Sequence, residues 1–347
     1  MQINITIEPE YSGTVWCKET IDGINEKVSS LRYSVNFCSD VSEAKDEIII
    51  IGTSPDYVIK KIDEAAEKNI LPIIVGCRPD ETDSRASYVI INYDEATECA
   101  LNYLHGTKPG KTALYGVKEN SFSDIKKSHF FSPEDIYYFS GENAAKDCFD
   151  TFYEKINIYG SVLCVNYVSA VSLIKRLREK GLTTPEDIHI ACFGDSAIGS
   201  LLGVSVVTLD HNLLGRQAVT LYKYLSSVSD RVSICAFVSS RIVPGKTTEN
   251  KSYTPSKSKK QNKNEIDIFS AVAELSEIQR LEKMLRKCDG TDFKIITMLQ
   301  KNIRYADISD SLFISDGTLK YRIKKLLAAS ECENVKEMLH LFEEYRK

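Results

Sequence analysis

The chain has 347 residues, with 44 Lys and Arg against 49 Asp and Glu and a net charge of −5. That balance excludes a generally basic nucleic-acid coat and leaves any nucleic-acid contact to a local patch. The length suits two or three domains, each able to bury a core. Ten cysteines are present, but none forms a Cys-x-x-Cys pair and most, such as Cys77, Cys164, Cys192 and Cys235, sit in apolar runs. They read as small core residues in a reducing compartment, not as disulfides or a zinc site.

The opening MQINITIEPEYSG has neither a basic n-region nor a long apolar run, so no signal peptide is expected. No stretch reaches ~18 uninterrupted apolar residues, so no membrane span is expected either. The expected location is the cytoplasm.

Residues 1–245 alternate short apolar runs with amphipathic stretches. Strands are expected at Ile3–Ile7, Tyr33–Phe37, Ile48–Ile51, Pro72–Val75 and Tyr88–Ile91, with helices at 15–30 and 56–68. Unbroken runs such as IIII and PIIV belong to strands covered on both faces, as in a parallel sheet with crossover helices. The pattern continues with helices near 94–105, 144–153, 170–180 and 213–225. Strands fall near 112–116, 137–139, 161–165, 189–193, 204–209 and 234–238. The expected architecture is two α/β lobes following one another along the chain.

Residues 246–264, KTTENKSYTPSKSKKQNKN, are polar and lack the apolar side chains needed to pack, and read as a flexible linker. Across 265–288, Ile268, Val272, Leu275, Ile278, Leu281 and Leu285 recur at three and four, which predicts a long amphipathic connecting helix. A stripe of that length either packs on the following domain or pairs with its copy, and a homodimer is the expectation.

Residues 289–347 predict a small all-α domain. Within it, Ile308 and Leu312, then Leu319, Ile323, Leu326 and Leu327, place two short amphipathic helices about Phe313-Ile314-Ser315. Ser315 is positioned to cap the second helix, with Asp316 at its positive end. The expected exposed face carries Lys320, Arg322, Lys324 and Lys325, with no anion in 318–325. Such a helix suits a major groove of double-stranded DNA. Base contacts are expected from Ser315, Asp316, Thr318, Lys320 and Tyr321, and phosphate contacts from Arg322, Lys324 and Lys325.

The run Ile314, Ser315, Thr318, Leu319, Lys320 resembles the helix-turn-helix of LuxR/GerE-type transcription factors. Ser309 stands where that family usually has Ala, Arg322 where His is common, and Asp289-Gly290-Thr291-Asp292 replaces the usual Thr-x-x-Glu entry.

Upstream, GSVLCVNYVSAVSLIKRLREKGLTTPEDIHIACFGD and VVTLDHNLLGRQAVTLYKYL resemble the effector-sensing core of LacI/PurR-type repressors, the fold of periplasmic sugar-binding proteins. That resemblance implies a two-lobe periplasmic-binding-protein-like sensor with a small-molecule site in the cleft between its lobes. It also implies contacts at Asn166 and Tyr167, with Tyr11, Trp16, Arg78 and Asp195 as further candidates. Tyr167 replaces the usual Asp, Gly194 replaces the first of two aspartates, and 121–127 lacks the usual Ser-Arg pair. A simple hexose is therefore a poor fit. No cofactor or metal is expected, the five histidines having no ligand spacing. No nucleophile motif supports an enzyme. The function implied is a one-component transcription regulator in which a ligand sensor controls a C-terminal DNA reader. The alternative is a ligand-free sensor acting as a dimerisation or protein-interaction scaffold.

Overall fold

The computed structural model describes residues 2–141, 143–228, 230–248 and 273–346. Two six-stranded sheets and a helical C-terminal domain account for them. Lobe 1 holds β1 (Gln2–Ile7), β2 (Ser34–Phe37), β3 (Glu47–Gly52), β4 (Leu71–Gly76), β5 (Ser87–Ile91) and β11 (Cys235–Val238), in the order β11-β5-β4-β3-β1-β2. All of its pairings are parallel. Helices α1 (Val15–Leu31) and α8 (His211–Leu225) cover one face and α2 (Pro55–Glu67) the other.

The polyisoleucine strand β3 shows why both faces must be covered. Ile49 and Ile51 point into the core shared with α1 and α8, and Ile48 and Ile50 into that of α2, all four fully buried. Helices α1 and α8 cross at glycines. A Cβ on Gly23 would lie 1.9 Å from the Asn212 carbonyl oxygen, and one on Gly215 1.9 Å from that of Thr20. This close crossing sets the start of α8 beside α1 at the edge of the cleft.

Lobe 2 holds β6 (Lys111–Val117), β7 (Ile136–Tyr138), β8 (Tyr159–Cys164), β9 (His189–Phe193), β10 (Ser205–Val207) and β12 (Ile242–Val243), ordered β12-β10-β9-β8-β6-β7. Only β12 runs antiparallel. Its helices are α3 (Tyr93–Thr107), α4 (Phe122–Ser128), α5 (Ala144–Tyr153), α6 (Tyr167–Glu179) and α7 (Ala197–Leu202).

The lobes do not follow one another along the chain as expected. The backbone crosses between them three times, after β5, after β10 and after β11, so α8 and β11 return to lobe 1 late in the sequence. The reason is strand pairing: Cys235–Val238 finds its partner in Tyr88–Ile91 of the first sheet. The strand β12 and helices α4 and α7 were not expected.

The linker boundary also moves. Thr247 and Thr248 are 2% and 4% exposed, and belong to lobe 2. The Thr247 hydroxyl donates to the Ile190 carbonyl at 2.6 Å, while the Thr248 hydroxyl meets Ser205 Oγ at 2.6 Å and Tyr103 Oη at 2.7 Å. Residues 249–264 of the expected linker, and residues 265–272 of the expected long helix, lie outside the described residues.

The helical part comprises α9 (Ala273–Arg286), α10 (Gly290–Gln300), α11 (Tyr305–Leu312), α12 (Asp316–Ser330) and α13 (Val335–Arg346). The α9 stripe of Leu275, Ile278, Leu281 and Leu285, expected to pair with a copy, is instead covered by its own chain. It shares one core with Val168, Val171 and Ile198 of lobe 2 and with Leu326, Met338 and Phe342 of the helical domain. The helical domain therefore sits on lobe 2, with Lys175 of α6 pairing with Glu344 of α13 at 2.5 Å. Among the described residues no helix is long and apolar enough to cross a membrane, and all ten cysteines are free, seven of them buried.

Candidate ligand cleft and nucleic-acid interface

The carboxyl ends of the parallel strands of both lobes face one crevice, where open α/β sheets place their sites. Asn166, after β8, is the N-cap of α6. Its Oδ1 accepts from the Ser169 backbone N–H at 3.0 Å and the Ser169 hydroxyl at 3.2 Å. Much of its hydrogen-bonding capacity thus goes into holding the helix. Tyr167 packs half-buried against the lobe 2 core. On lobe 1, Tyr11 lies 6.1 Å from Trp16 between ring centroids, and Trp16 lies 6.3 Å from His211, the first residue of α8. His211 Nδ1 is 3.2 Å from Glu19 Oε2.

Asp195, after β9, reaches solvent but is ringed by protein atoms. That partial burial, then Glu19, raises its carboxyl above the usual range, opposed by Arg241 and Arg286. Tyr11, Trp16, Tyr167 and Asp195 therefore gather around one polar cluster, with Asn166 beside it. Arg78 is not part of that cluster. Its guanidinium lies over the Tyr88 ring at 5.1 Å and donates to the Glu81 carbonyl, within lobe 1.

At the carboxyl ends of β8 and β9 sits a residue that sequence reasoning missed. Lys127 of α4 is 3% exposed. Its Nζ pairs with Asp124 at 2.9 Å and contacts the Val165 carbonyl at 3.4 Å. It also lies over the rings of Phe193 at 4.8 Å and Tyr93 at 5.1 Å. These groups stand at the ends of β8 and β9 and the start of α3, so the cation is internal and boxed by aromatic rings at the strand ends. A desolvated cation over aromatic rings gains about 2 kcal/mol or more, and leaving it unpaired there would cost several. Two ion pairs bridge the lobes on either side. Lys126 meets Glu81 at 3.0 Å, and the bond to Lys126 holds the Glu81 carboxyl below the usual range. Arg286 of α9 lies 3.9 Å from Glu19 of α1.

In the helical domain the expected cap is present: the Thr318 N–H donates to Ser315 Oγ at 3.1 Å. The turn between α11 and α12 passes through Phe313 in the left-handed region at φ 53°. Ser315, Asp316, Thr318, Lys320, Tyr321 and Lys324 are exposed on one side of α12, away from its buried Leu319, Ile323 and Leu326. Phe313, 95% exposed, and Tyr321, 70%, add aromatic surface there.

Arg322 and Lys325 depart from their expected phosphate role. Arg322 Nη1 is held by Asp289 at 2.9 Å and by fully buried Asp292 at 2.8 Å. Lys325 Nζ donates to the Lys287 carbonyl at 2.7 Å and reaches Asp292 at 3.4 Å. The Asp289-Gly290-Thr291-Asp292 entry that replaced the family pattern is itself a capping box for α10. It doubles as the acceptor of these cations. Among the described residues no group of three or more His, Cys, Asp or Glu is arranged to hold a metal ion.

With this geometry established, the resemblance of the sensor acquires independent support. A model of the periplasmic binding protein-like domain matches residues 139–248. Solved structures align over most of the chain. A LacI family transcriptional regulator CCPA from Weissella paramesenteroides, with bound sucrose, is 18% identical with a TM-score of 0.55, covering 72% of this chain and 99% of its own. A CelR–cellobiose complex is 12% identical with a TM-score of 0.58, covering 71% and 84%. The sensor fold is periplasmic-binding-protein-like.

Catabolite control protein A of Staphylococcus epidermidis is 24% identical over 169 residues, 46% of this chain and 50% of the relative. The chain thus spans about half the length of the curated relative it matches. A winged helix-turn-helix DNA-binding model, not a LuxR/GerE one, matches residues 289–329. After α12 the described chain continues into α13 and has no β-hairpin wing.

Proposed function

We propose that this protein is a one-component, cytoplasmic, DNA-binding transcription regulator whose two-lobe sensor controls its C-terminal helix-turn-helix and which acts as a homodimer. The observation that carries the reading is α12, a helix sharply capped at Ser315 that exposes hydroxyl, aromatic and cationic side chains on the face away from its core. Thr318, Lys320 and Tyr321 are positioned for base edges and Lys324 for phosphate. Arg322 and Lys325 would have to leave their carboxylate partners to join them. The succession of four helices α10–α13 without a wing supports the LuxR/GerE-type assignment as the finer reading. The relatives that bind sugars support a small effector.

The test compares salt-dependent binding of the full chain to DNA from its own locus with that of a chain truncated after Thr248, the last described residue packed in lobe 2. Specific binding that disappears on truncation is expected. Equal binding by both chains would remove the helix-turn-helix from the reading.

A second reading has its own observation. Lys127 and Asp124 form an internal ion pair at the carboxyl ends of the lobe 2 strands, as expected of a sensor that has given up its effector and serves as a scaffold. Calorimetric binding of a mono- or disaccharide to the full chain would exclude it. Binding gained only in Lys127→Ala would support it.

A further inference from the structure

The connecting helix does more than join two domains, because two of its charged side chains engage the sensor in different ways. Glu282 is fully buried. Its carboxylate accepts from the Ala197 N–H at 2.9 Å and the Ile198 N–H at 2.7 Å, the first amides of α7, and from Arg286 Nε at 2.6 Å. A buried carboxylate with three donors cannot leave without stranding both its charge and those amides. This end of α9 is therefore fixed to lobe 2.

Arg286, one turn further on, is oriented by Glu282 and projects into the cleft mouth. There Nη1 lies 3.9 Å from Glu19 of lobe 1 and Nη2 lies 3.5 Å from the Asp195 carbonyl of lobe 2. The next residue, Lys287, offers its carbonyl to Lys325 of α12 at 2.7 Å. A short path thus runs from lobe 1 through Glu19, Arg286 and Lys287 to the exposed helix of the helical domain.

We infer that Arg286 is a positioning residue that reports the separation of the lobes to the helix-turn-helix, with Glu282 as its anchor and Glu19 as its contact on the moving lobe. The inference rests on the proposed role of α12 in DNA binding. The 3.9 Å Glu19 pair lies outside hydrogen-bonding range, so a small closure would convert it to a direct bond and a small opening would break it. Apart from its bond to Arg286, the contacts of Glu282 are with lobe 2 alone and persist in both states. Ligand-driven or spontaneous movement of lobe 1 would then pull on the last turn of α9, while the rest of the helix stays seated.

The experiment uses full-length Glu19→Gln, Arg286→Gln and the double variant. DNA affinity is measured on a fragment from the protein's own locus, and amide exchange is followed in parallel. Both single variants should change affinity in the same direction by about five-fold or more, the lower end of ordinary allosteric coupling, and the double variant should change it no further. An Arg286→Gln effect with no Glu19→Gln effect, or additive effects, would overturn the relay. Should none of the proteins bind DNA, the DNA-binding reading fails by itself, and exchange decides the relay. Faster exchange in Gly290–Gln300 and Asp316–Ser330 of Glu19→Gln supports it, and unchanged exchange there rejects it.

Discussion

Four residues of the helical domain, Ser309, Asp292, Thr318 and Lys324, show how far local chemistry reaches. Ser309 is 4% exposed, and its hydroxyl has no hydrogen-bond partner among the described residues. An unsatisfied buried hydroxyl is costly. Ser309→Ala should therefore raise stability by about 1 kcal/mol, seen as a higher Tm, and a lower Tm would mean the hydroxyl has a partner after all. Asp292→Ala should cost about 2–3 kcal/mol. It takes one acceptor from each of Arg322 and Lys325, which keep Asp289 and the Lys287 carbonyl, and their exposures of 24% and 36% moderate the penalty further. Thr318→Ala should relax sequence preference, whereas Lys324→Ala should weaken binding to all DNA and lower the salt slope by about one. Equal effects of both substitutions on specific and random DNA would reject that division. The Ser315 cap was legible in the sequence because donor and acceptor are three residues apart. The capture of Arg322 was not, its partners lying 33 and 30 positions upstream.

Among the elements, α9 was recognised by its apolar period but assigned the wrong neighbour. Periodicity shows that a face is buried, not what buries it. The overlooked signal was Glu282, a charge on the same face as Ile278 and Leu285, which in a dimer seam would meet its own copy. Leu281→Ala should cost about 2–5 kcal/mol as a cavity in the core shared by lobe 2 and the helical domain. Both parts should lose stability together in a single denaturation experiment, and an effect confined to one would contradict the shared core. The strand β9 supplies a pH dependence. Burial, then Lys108, lowers the pKa of His189 from 6.5. The fold favours neutral imidazole, so the unfolded chain binds more protons as pH falls through 6.5, and stability declines from there down to the folded pKa. The Tm of the wild type should fall between pH 7.5 and 5.5, and less so in His189→Gln. The same fall in the variant would place the effect elsewhere.

At the scale of the whole molecule, the layered α/β class was legible because doubly covered strands are apolar throughout. The weaving of the lobes was not, since the pairing of β11 with β5 joins segments 147 residues apart. The candidate cleft residues came from the family resemblance, and the structure puts Asn166 and Asp195 at the carboxyl ends of β8 and β9. Lys127 was not legible, because a lysine on a short helix ordinarily signals a solvated surface. The bridge between Lys126 and Glu81 is 26% and 69% exposed, so its loss should change stability by no more than about 1 kcal/mol. It should still open the cleft. Lys126→Ala is expected to increase the radius of gyration by small-angle scattering while leaving Tm nearly unchanged, and an unaltered scattering curve would show that the pair does not govern closure.

The interleaved lobes also constrain the order of assembly on the ribosome. Lobe 1 lacks α8 and its edge strand until residue 238 has emerged, and lobe 2 lacks β12 and its threonine anchors until residue 248. Neither can complete its core early in synthesis, so both close within a narrow interval, after most of the sensor has left the tunnel. The helical domain, whose pairings are mostly local, emerges onto a lobe that has only just formed the surface that receives it.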